Sequence, residues 1–190
     1  WVEGRWPGKG ALHFEGDGYI QFRNTAVMKG VLQSRGSMEM WLKPDSVWSA
    51  GKNRFLFDAG GYPQWVLYKS ATEDGLEFYI GSPGVPMFST PGWGWQAEKW
   101  YHIAITWDNA GSGENSGETW FYVNGKQIGD EWGRHKGKNI STPALRDSTR
   151  IAGGTGLEGV DGTVDEVAVY NRVLSKDEFE QHYRMGKPTL

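Results

Sequence analysis

Gly162-Thr163-Val164-Asp165-Glu166-Val167-Ala168-Val169-Tyr170-Asn171-Arg172-Val173-Leu174-Ser175 is the stretch whose reading decides the fold. Val167 and Val169 share one parity, and Ala168 and Tyr170 share the other. That alternation of β-branched and aromatic residues predicts a strand. A helix start follows at once. Ser175 is a good N-cap, and Glu178 stands three places on, where its carboxylate can bond back to the cap. Leu174 and Phe179 occupy the two positions of a hydrophobic staple. Lys176 to Arg184 then makes about two helical turns, with Phe179 and Tyr183 on one face. Gly186 and Pro188 supply the stop signals.

Outward from this ending, the chain reads as strands and turns. Tyr101, Ile103, Ile105 and Trp107 share one face of a central strand over residues 99–108. Met38, Met40 and Leu42 share one face of another, which Pro44 ends. Ala11-Leu12-His13-Phe14 and Tyr19-Ile20-Gln21-Phe22 alternate around Glu15-Gly16-Asp17-Gly18, which predicts a hairpin with Leu12, Phe14, Ile20 and Phe22 in the core. Further strands are expected over 54–58, 64–69, 76–80 and 150–153. Thr119 to Val123 leads into Asn124-Gly125, the strongest two-residue hairpin signal available, and Lys126 to Gly129 returns. Residues 81–96 read as a Pro- and Gly-rich loop carrying Trp93 and Trp95, and residues 130–147 as a long charged connection. About ten to twelve strands and one helix result. The expectation is an all-β, two-sheet antiparallel jelly-roll β-sandwich with one short C-terminal helix. No repeat or internal boundary divides residues 1–190, so one domain is expected.

Composition narrows the function. The 190 residues carry no cysteine, which excludes disulfides and cysteine–zinc sites, and a net charge of -3, which gives no basic field for nucleic acid. No apolar run reaches the ~20 residues of a membrane span. Twenty-eight glycines agree with many tight turns. Eleven tryptophans exceed what such a core is expected to need, so some should lie on the surface, which hints at ligand contact, particularly with sugars. The chain opens at Trp1 without a leader-like segment and is expected to be a mature or excised piece.

The closing strand resembles the pattern G-x-(I/V)-D-E-V-x-(I/V)-Y-N-R-x-L-S of the laminin G-like, or concanavalin A-like lectin/glucanase, superfamily. Trp100-Tyr101-His102-Ile103-Ala104 is similar to that family's W-x-H-(I/V)-A motif. Ala11 to Ile20 is similar to its usual opening. The resemblance covers roughly residues 10–186 and implies the concanavalin A-like sandwich, but one fold hosts many functions. It also implies one structural calcium ion, with Asp165 as a ligand and Glu15 and Asp17 beside it; Asp161 is a further candidate. Calcium takes six to eight oxygens, and turn glycines expose carbonyls. The plainer alternative is that Asp17 is a turn residue and that Asp165 bonds backbone at a strand end.

The expected ligand is a polysaccharide or other glycan, because an exposed indole pairs apolar area with an edge donor. The candidate contacts are Trp48, Tyr62, Trp93, Trp95, Trp132 and Arg134. Against this stands the reading that the loop tryptophans staple long loops over the sandwich. Trp41, Trp100 and Trp107 lie on strands and are expected to pack. Hydrolysis in a related branch uses carboxylates at alternating strand positions, which share one face. No E-x-D-x-E run occurs here, and the four histidines are scattered. A non-catalytic binding module is therefore expected, and the resemblance implies an extracellular or periplasmic location, as part of a larger secreted protein. A protein–protein adhesion module of the same fold is the alternative, and a glycan-cleaving enzyme is a third reading. Asn139-Ile140-Ser141 is a formal glycosylation sequon.

Overall fold

The closing strand, β13 (Asp161–Tyr170), lies between two early strands. On one side it pairs antiparallel with β2 (Gly10–Glu15), on the other with β4 (Arg35–Pro44). This computed structural model describes all residues except 33, 49–50, 61–64, 73–74, 81–87, 91, 93, 109–117, 129–144, 155–157 and 187–190. The remaining strands are β1 (Val2–Glu3), β3 (Ile20–Arg23), β5 (Arg54–Asp58), β6 (Val66–Lys69), β7 (Leu76–Tyr79), β8 (Phe88–Ser89), β9 (Tyr101–Asp108), β10 (Glu118–Val123), β11 (Lys126–Ile128) and β12 (Ser148–Ile151). Among the described residues they form a seven-stranded sheet, β1-β2-β13-β4-β9-β10-β11, and a six-stranded sheet, β3-β12-β5-β6-β7-β8. Every pairing is antiparallel. The two-sheet sandwich is the expected one.

The core fills the space between the sheets. Met38, Met40 and Leu42 from β4 and Tyr101, Ile103, Ile105 and Trp107 from β9 meet Leu67 of β6 and Phe78 of β7. Trp107 sits edge-on to Trp65 at 5.5 Å between ring centroids. The alternation read in the sequence is thus the inward-facing set of each strand. Asn124 and Gly125 take φ of +53° and +72°, which closes the β10–β11 hairpin as expected.

Helix α2 (Lys176–Met185) begins with a complete capping box. The Glu178 backbone N–H donates to Ser175 Oγ at 3.2 Å, and the Ser175 N–H donates to Glu178 Oε2 at 2.8 Å. Arg172 also reaches Glu178, at 2.7 Å. That pair and the cap together hold the Glu178 carboxyl down at about 2. Leu174 and Phe179 are buried with Ala104 and Tyr122 on the outer face of the larger sheet.

Three features differ from expectation. The predicted hairpin over residues 11–22 is instead a crossing from one sheet to the other. Gly16 takes φ +91°. Its N–H donates to the Val160 carbonyl, and its own carbonyl accepts from Gly159. Those bonds tie the turn to the segment before β13, so β3 continues into the second sheet and pairs with β12. A short helix, α1 (Ala26–Val31), was not anticipated; it has six residues and no acidic residue in its first turn, too little for a helical period to register. The two-residue strands β1 and β8 are below what periodicity can register.

The alternation in β13 is also interrupted. Its register against β4 shifts between Asp165 and Ala168, and Glu166 takes φ +47°. This bulge places one extra residue in the strand. Val164 therefore faces the core, and after the bulge Val167 and Val169 face it again.

Gly162 approaches β4 so closely that a Cβ would lie 2.4 Å from the Lys43 carbonyl oxygen, and its φ is +153°. Gly162→Ala is expected to cost at least about 2 kcal/mol, read by urea denaturation. Ser175→Ala should cost about 1 kcal/mol, through loss of the cap alone.

Candidate ligand-binding site

The loop between β4 and β5 carries Trp48 to the end of the sandwich. Trp48 packs on Trp95 at 5.2 Å, and Trp95 packs edge-on to Tyr101 at 5.0 Å. The Gln96 backbone N–H donates to the Tyr101 hydroxyl at 2.9 Å, fixing this second loop to the start of β9. Trp48 is 3% exposed and Trp95 1%. Neither offers a free ring face for a pyranose; both staple their loops to the core. Tyr62, Trp93, Trp132 and Arg134 lie outside the described residues.

Trp48 is nonetheless on the wall of a cavity of about 350 Å³, with Ser46, Val47, Lys52, Arg54 and Lys69 around it. That volume lies in the range of small-ligand sites. The rim is held by local bonds. Gly51, at φ +105°, donates its N–H to the Ala71 carbonyl at 2.7 Å, and Ala71 donates back to Asn53 Oδ1 at 2.7 Å. Arg54 and Lys69 stand directly opposite each other across β5 and β6. Like charges directly opposed on a sheet are unfavourable. Arg54 is met on one side by Glu158, at 3.1 Å. Lys69 is 1% exposed, and its ammonium lies 3.5 Å from the Lys52 carbonyl. The buried indole N–H of Trp48 has no acceptor among the described residues. A buried donor left unmet is costly.

Asp165 does not converge with the other carboxylates named for calcium. Both oxygens of Asp165 accept backbone N–H groups: Oδ2 from Arg5 and Oδ1 from Glu166, each at 2.8 Å. Glu15 is paired with Asp161, at the other end of the β2–β13 ladder. Four residues of strand, about 13 Å, separate Asp161 from Asp165. Glu15 and Asp17 are exposed. No group of three acidic or histidine side chains among the described residues is arranged to hold a metal. Asp165 thus does what its plainer alternative implied: it bonds backbone, closing the bulge and tying down the segment before β2.

A second polar cluster lies on the outer face of the larger sheet. The Glu39 carboxylate accepts from Tyr170 Oη at 2.6 Å and meets His102 Nε2 at 3.1 Å and His182 Nδ1 at 3.0 Å. Burial raises the Glu39 pKa, but hydrogen bonds from His102, Tyr170 and His182 outweigh it and leave the carboxyl below its ordinary value. Burial and the bond to Glu39 push the Tyr170 hydroxyl upward. Trp41 covers the cluster, stacked on Tyr183 at 5.8 Å. Sequence reading left His102 and His182 apart and gave Glu39 no role. The available signal was parity: Glu39 and Trp41 share the outward face of β4, where an acid beside an aromatic is exceptional unless partnered. The cluster joins β4, β9, β13 and α2 and serves to dock the helix.

The sequence profile of the concanavalin A-like lectin/glucanases superfamily matches residues 14–179, and the chain belongs to that superfamily. No curated protein matches the chain in sequence. Among solved structures it is similar to Trypanosoma rangeli sialidase in complex with the inhibitor DANA, at 18% identity and TM-score 0.62. That match covers 91% of this chain but 27% of the sialidase, so the chain spans about a quarter of that protein. It is also similar to domain 4 of AbnA, a GH43 extracellular arabinanase from Geobacillus stearothermophilus, in complex with arabinotriose. The identity is 15% and the TM-score 0.60, covering 94% of this chain and 78% of that one. The binding domain of Botulinum Neurotoxin DC in complex with SialylT aligns at 13% identity and TM-score 0.66, covering 93% and 42%. At these identities the likeness shows the fold alone.

Two outcomes test the site's architecture. Trp95→Ala should cost about 3–5 kcal/mol, as loss of a fully buried indole does, measured by chemical denaturation. Glu39→Gln should destabilise by about 1–3 kcal/mol near neutral pH. Because the folded-state pKa of Glu39 is depressed, its contribution is fully present above the ordinary carboxylate range. It is lost as pH falls through the lower folded value. The stability gap between wild type and Glu39→Gln should therefore narrow in denaturation curves taken toward about pH 3.

Proposed function

We propose that this chain is a non-catalytic carbohydrate-binding module of a larger extracellular or periplasmic protein, and that its ligand enters the cavity beside Trp48. The observation that carries this reading is the cavity itself: a ligand-sized recess walled by Trp48 and lined by Ser46, Lys52 and Arg54. The solved neighbours lend support. The arabinanase domain is in complex with arabinotriose, and the neurotoxin binding domain is in complex with SialylT. Recognition would proceed by hydrogen bonds and charge from Lys52 and Arg54 at the rim, in place of the open stacking platform expected from the sequence.

The burial of Trp48 and Trp95 favours one further reading, an adhesion module whose loop aromatics are purely structural. A panel of polysaccharides titrated against intrinsic tryptophan fluorescence separates the two. Saturable binding of at least one glycan is expected. Ser46→Trp, a bulky neutral side chain at an exposed rim position, should weaken it at least about tenfold, or about 1.4 kcal/mol. It should do so with little change in melting temperature. No binding across the panel would favour adhesion. Incubation of the bound glycan with the protein should release no smaller products; cleavage would overturn the non-catalytic assignment.

Calcium enters this reading through a separate test. Asp165 bonds two backbone N–H groups, so Asp165→Ala should destabilise by about 1–3 kcal/mol equally in excess calcium and in chelator. A loss seen only in calcium would give the carboxylate a metal role.

A further inference from the structure

We infer that the groove between the β10–β11 hairpin, α2 and the loop entering β9 is a second glycan contact, which takes a neutral segment of the same glycan that enters the recess beside Trp48. This inference rests on the carbohydrate reading and adds a consequence to it: affinity grows with glycan length.

Strand register fixes the position of the groove. Leu42, near the end of β4, pairs with Tyr101, the first residue of β9, and Val123, the last residue of β10, pairs with Ile103. Three connections therefore emerge at one end of the sandwich: the loop leaving β4 with Ser46 to Lys52, the loop entering β9 with Gly94 to Lys99, and the Asn124-Gly125 turn. The loop entering β9 borders two cavities. Its Trp95 packs on Trp48, which walls the recess. Its Gly94, Gln96 and Lys99 line a groove of about 680 Å³, a volume in the range of ligand sites. This loop is held at three points: Trp95 on Tyr101, the Gln96 N–H on the Tyr101 hydroxyl, and the Glu98 N–H on the Pro44 carbonyl at 2.7 Å. A wall fixed beforehand lowers the ordering cost of binding.

The lining suits a sugar. Val123, Ile128 and the half-buried Tyr183 supply apolar surface, and Gln96, Asn124 and Gln127 supply three side-chain amides. Tyr183 comes this close because residue 125 is glycine; a Cβ there would lie 3.0 Å from Tyr183 Cδ1. Asn124 Oδ1 accepts the His102 N–H at 3.0 Å, which fixes the plane of its amide and leaves Nδ2 as the donor. An amide both donates and accepts, as a sugar hydroxyl does. An anion would make no use of the accepting oxygens, and a wholly apolar ligand would strand the amides from water. The two lysines, Lys99 and Lys126, are exposed at the rim, where salt screens their charge. A glycan that reaches both the recess and the groove makes its second contact within one complex, which multiplies affinity without any new chemistry.

The test is calorimetry on the full chain with neutral length pairs: xylobiose and xylohexaose, cellobiose and cellohexaose, arabinobiose and arabinohexaose. At least one hexasaccharide should bind about tenfold or more tighter than its disaccharide. Gln96→Ala and Gln127→Leu should each reduce that length ratio several-fold, and the double variant should bring it close to one. The ratio is taken within each variant, so a merely structural role, which would lower melting temperature, would not move it. Should the double variant fail to fold, Gln96→Ala, at an exposed loop position, decides alone. Equal binding of short and long glycans would overturn this inference and leave the carbohydrate reading in place. A length ratio that survives loss of the amides would do the same. No binding by any member of the set would overturn both.

Discussion

The ladder that β13 makes with β2 and β4 is the constraint on which the rest of the molecule depends. A strand from the end of the chain completes a sheet begun by strands near its start. Neither early strand has its inner neighbour until the last quarter of the sequence is in place. The strand is bonded on both edges, and its inward residues Val164, Val167 and Val169 cap the core from the middle of the larger sheet. Such non-local pairing carries a large loop-closure cost that only the finished core offsets. The bulge at Glu166 follows from the same position. β13 must satisfy a neighbour on each side and still return its valines to the interior, and one extra residue re-phases the alternation. Asp165 closes that irregularity by accepting the Glu166 N–H, and its second oxygen takes the Arg5 N–H. One buried carboxylate thereby fixes the bulge and the N-terminal segment together.

The two ends of the molecule follow from what the sheets leave over. Outside the larger sheet, α2 covers Ala104 and Tyr122, and the buried Glu39 collects Tyr170, His102 and His182 beside it. A carboxylate removed from water is tolerated there because its oxygens are met by several donors at once. At the sandwich end the opposite holds. The Trp48–Trp95–Tyr101 contacts seal the core, and just beyond them lies a recess where donors outnumber acceptors among the described residues. One cluster is bonded across four elements and reads as scaffold, with His102 Nδ1 its one buried atom that lacks a partner among the described residues. The other borders an open recess.

Much of this was legible beforehand. The Ser175–Glu178 capping box, the Leu174–Phe179 staple, the Asn124-Gly125 turn and the inward parity of β4 and β9 are local signals, and each survives in the structure because local and tertiary preferences agree. The crossing at Gly16 was misread as a hairpin because two alternating segments around a glycine turn look alike whether the second strand folds back or passes to the other sheet. The choice is made by Gly159 and Val160, nearly 150 residues away, through bonds to the turn backbone. The site was half legible. Trp48 could be picked out as a loop tryptophan. Its burial could not, since that depends on Trp95 arriving from another loop. The Arg54–Lys69 juxtaposition is likewise a matter of register, invisible until β5 and β6 are aligned.

The same register shows how this chain meets buried charge. Arg54 and Lys69 face each other across β5 and β6, which is unfavourable unless each is met elsewhere. Arg54 is met by Glu158, Lys69 lies 3.5 Å from the Lys52 carbonyl and is partnered besides, and Glu39 and Asp165 have their oxygens occupied by donors. The difference between the two ends is exposure. Glu158 and Lys52 stand in solvent, where charge is weakly held and screened, so the rim of the recess can exchange partners at small cost, whereas the buried Glu39 cluster cannot.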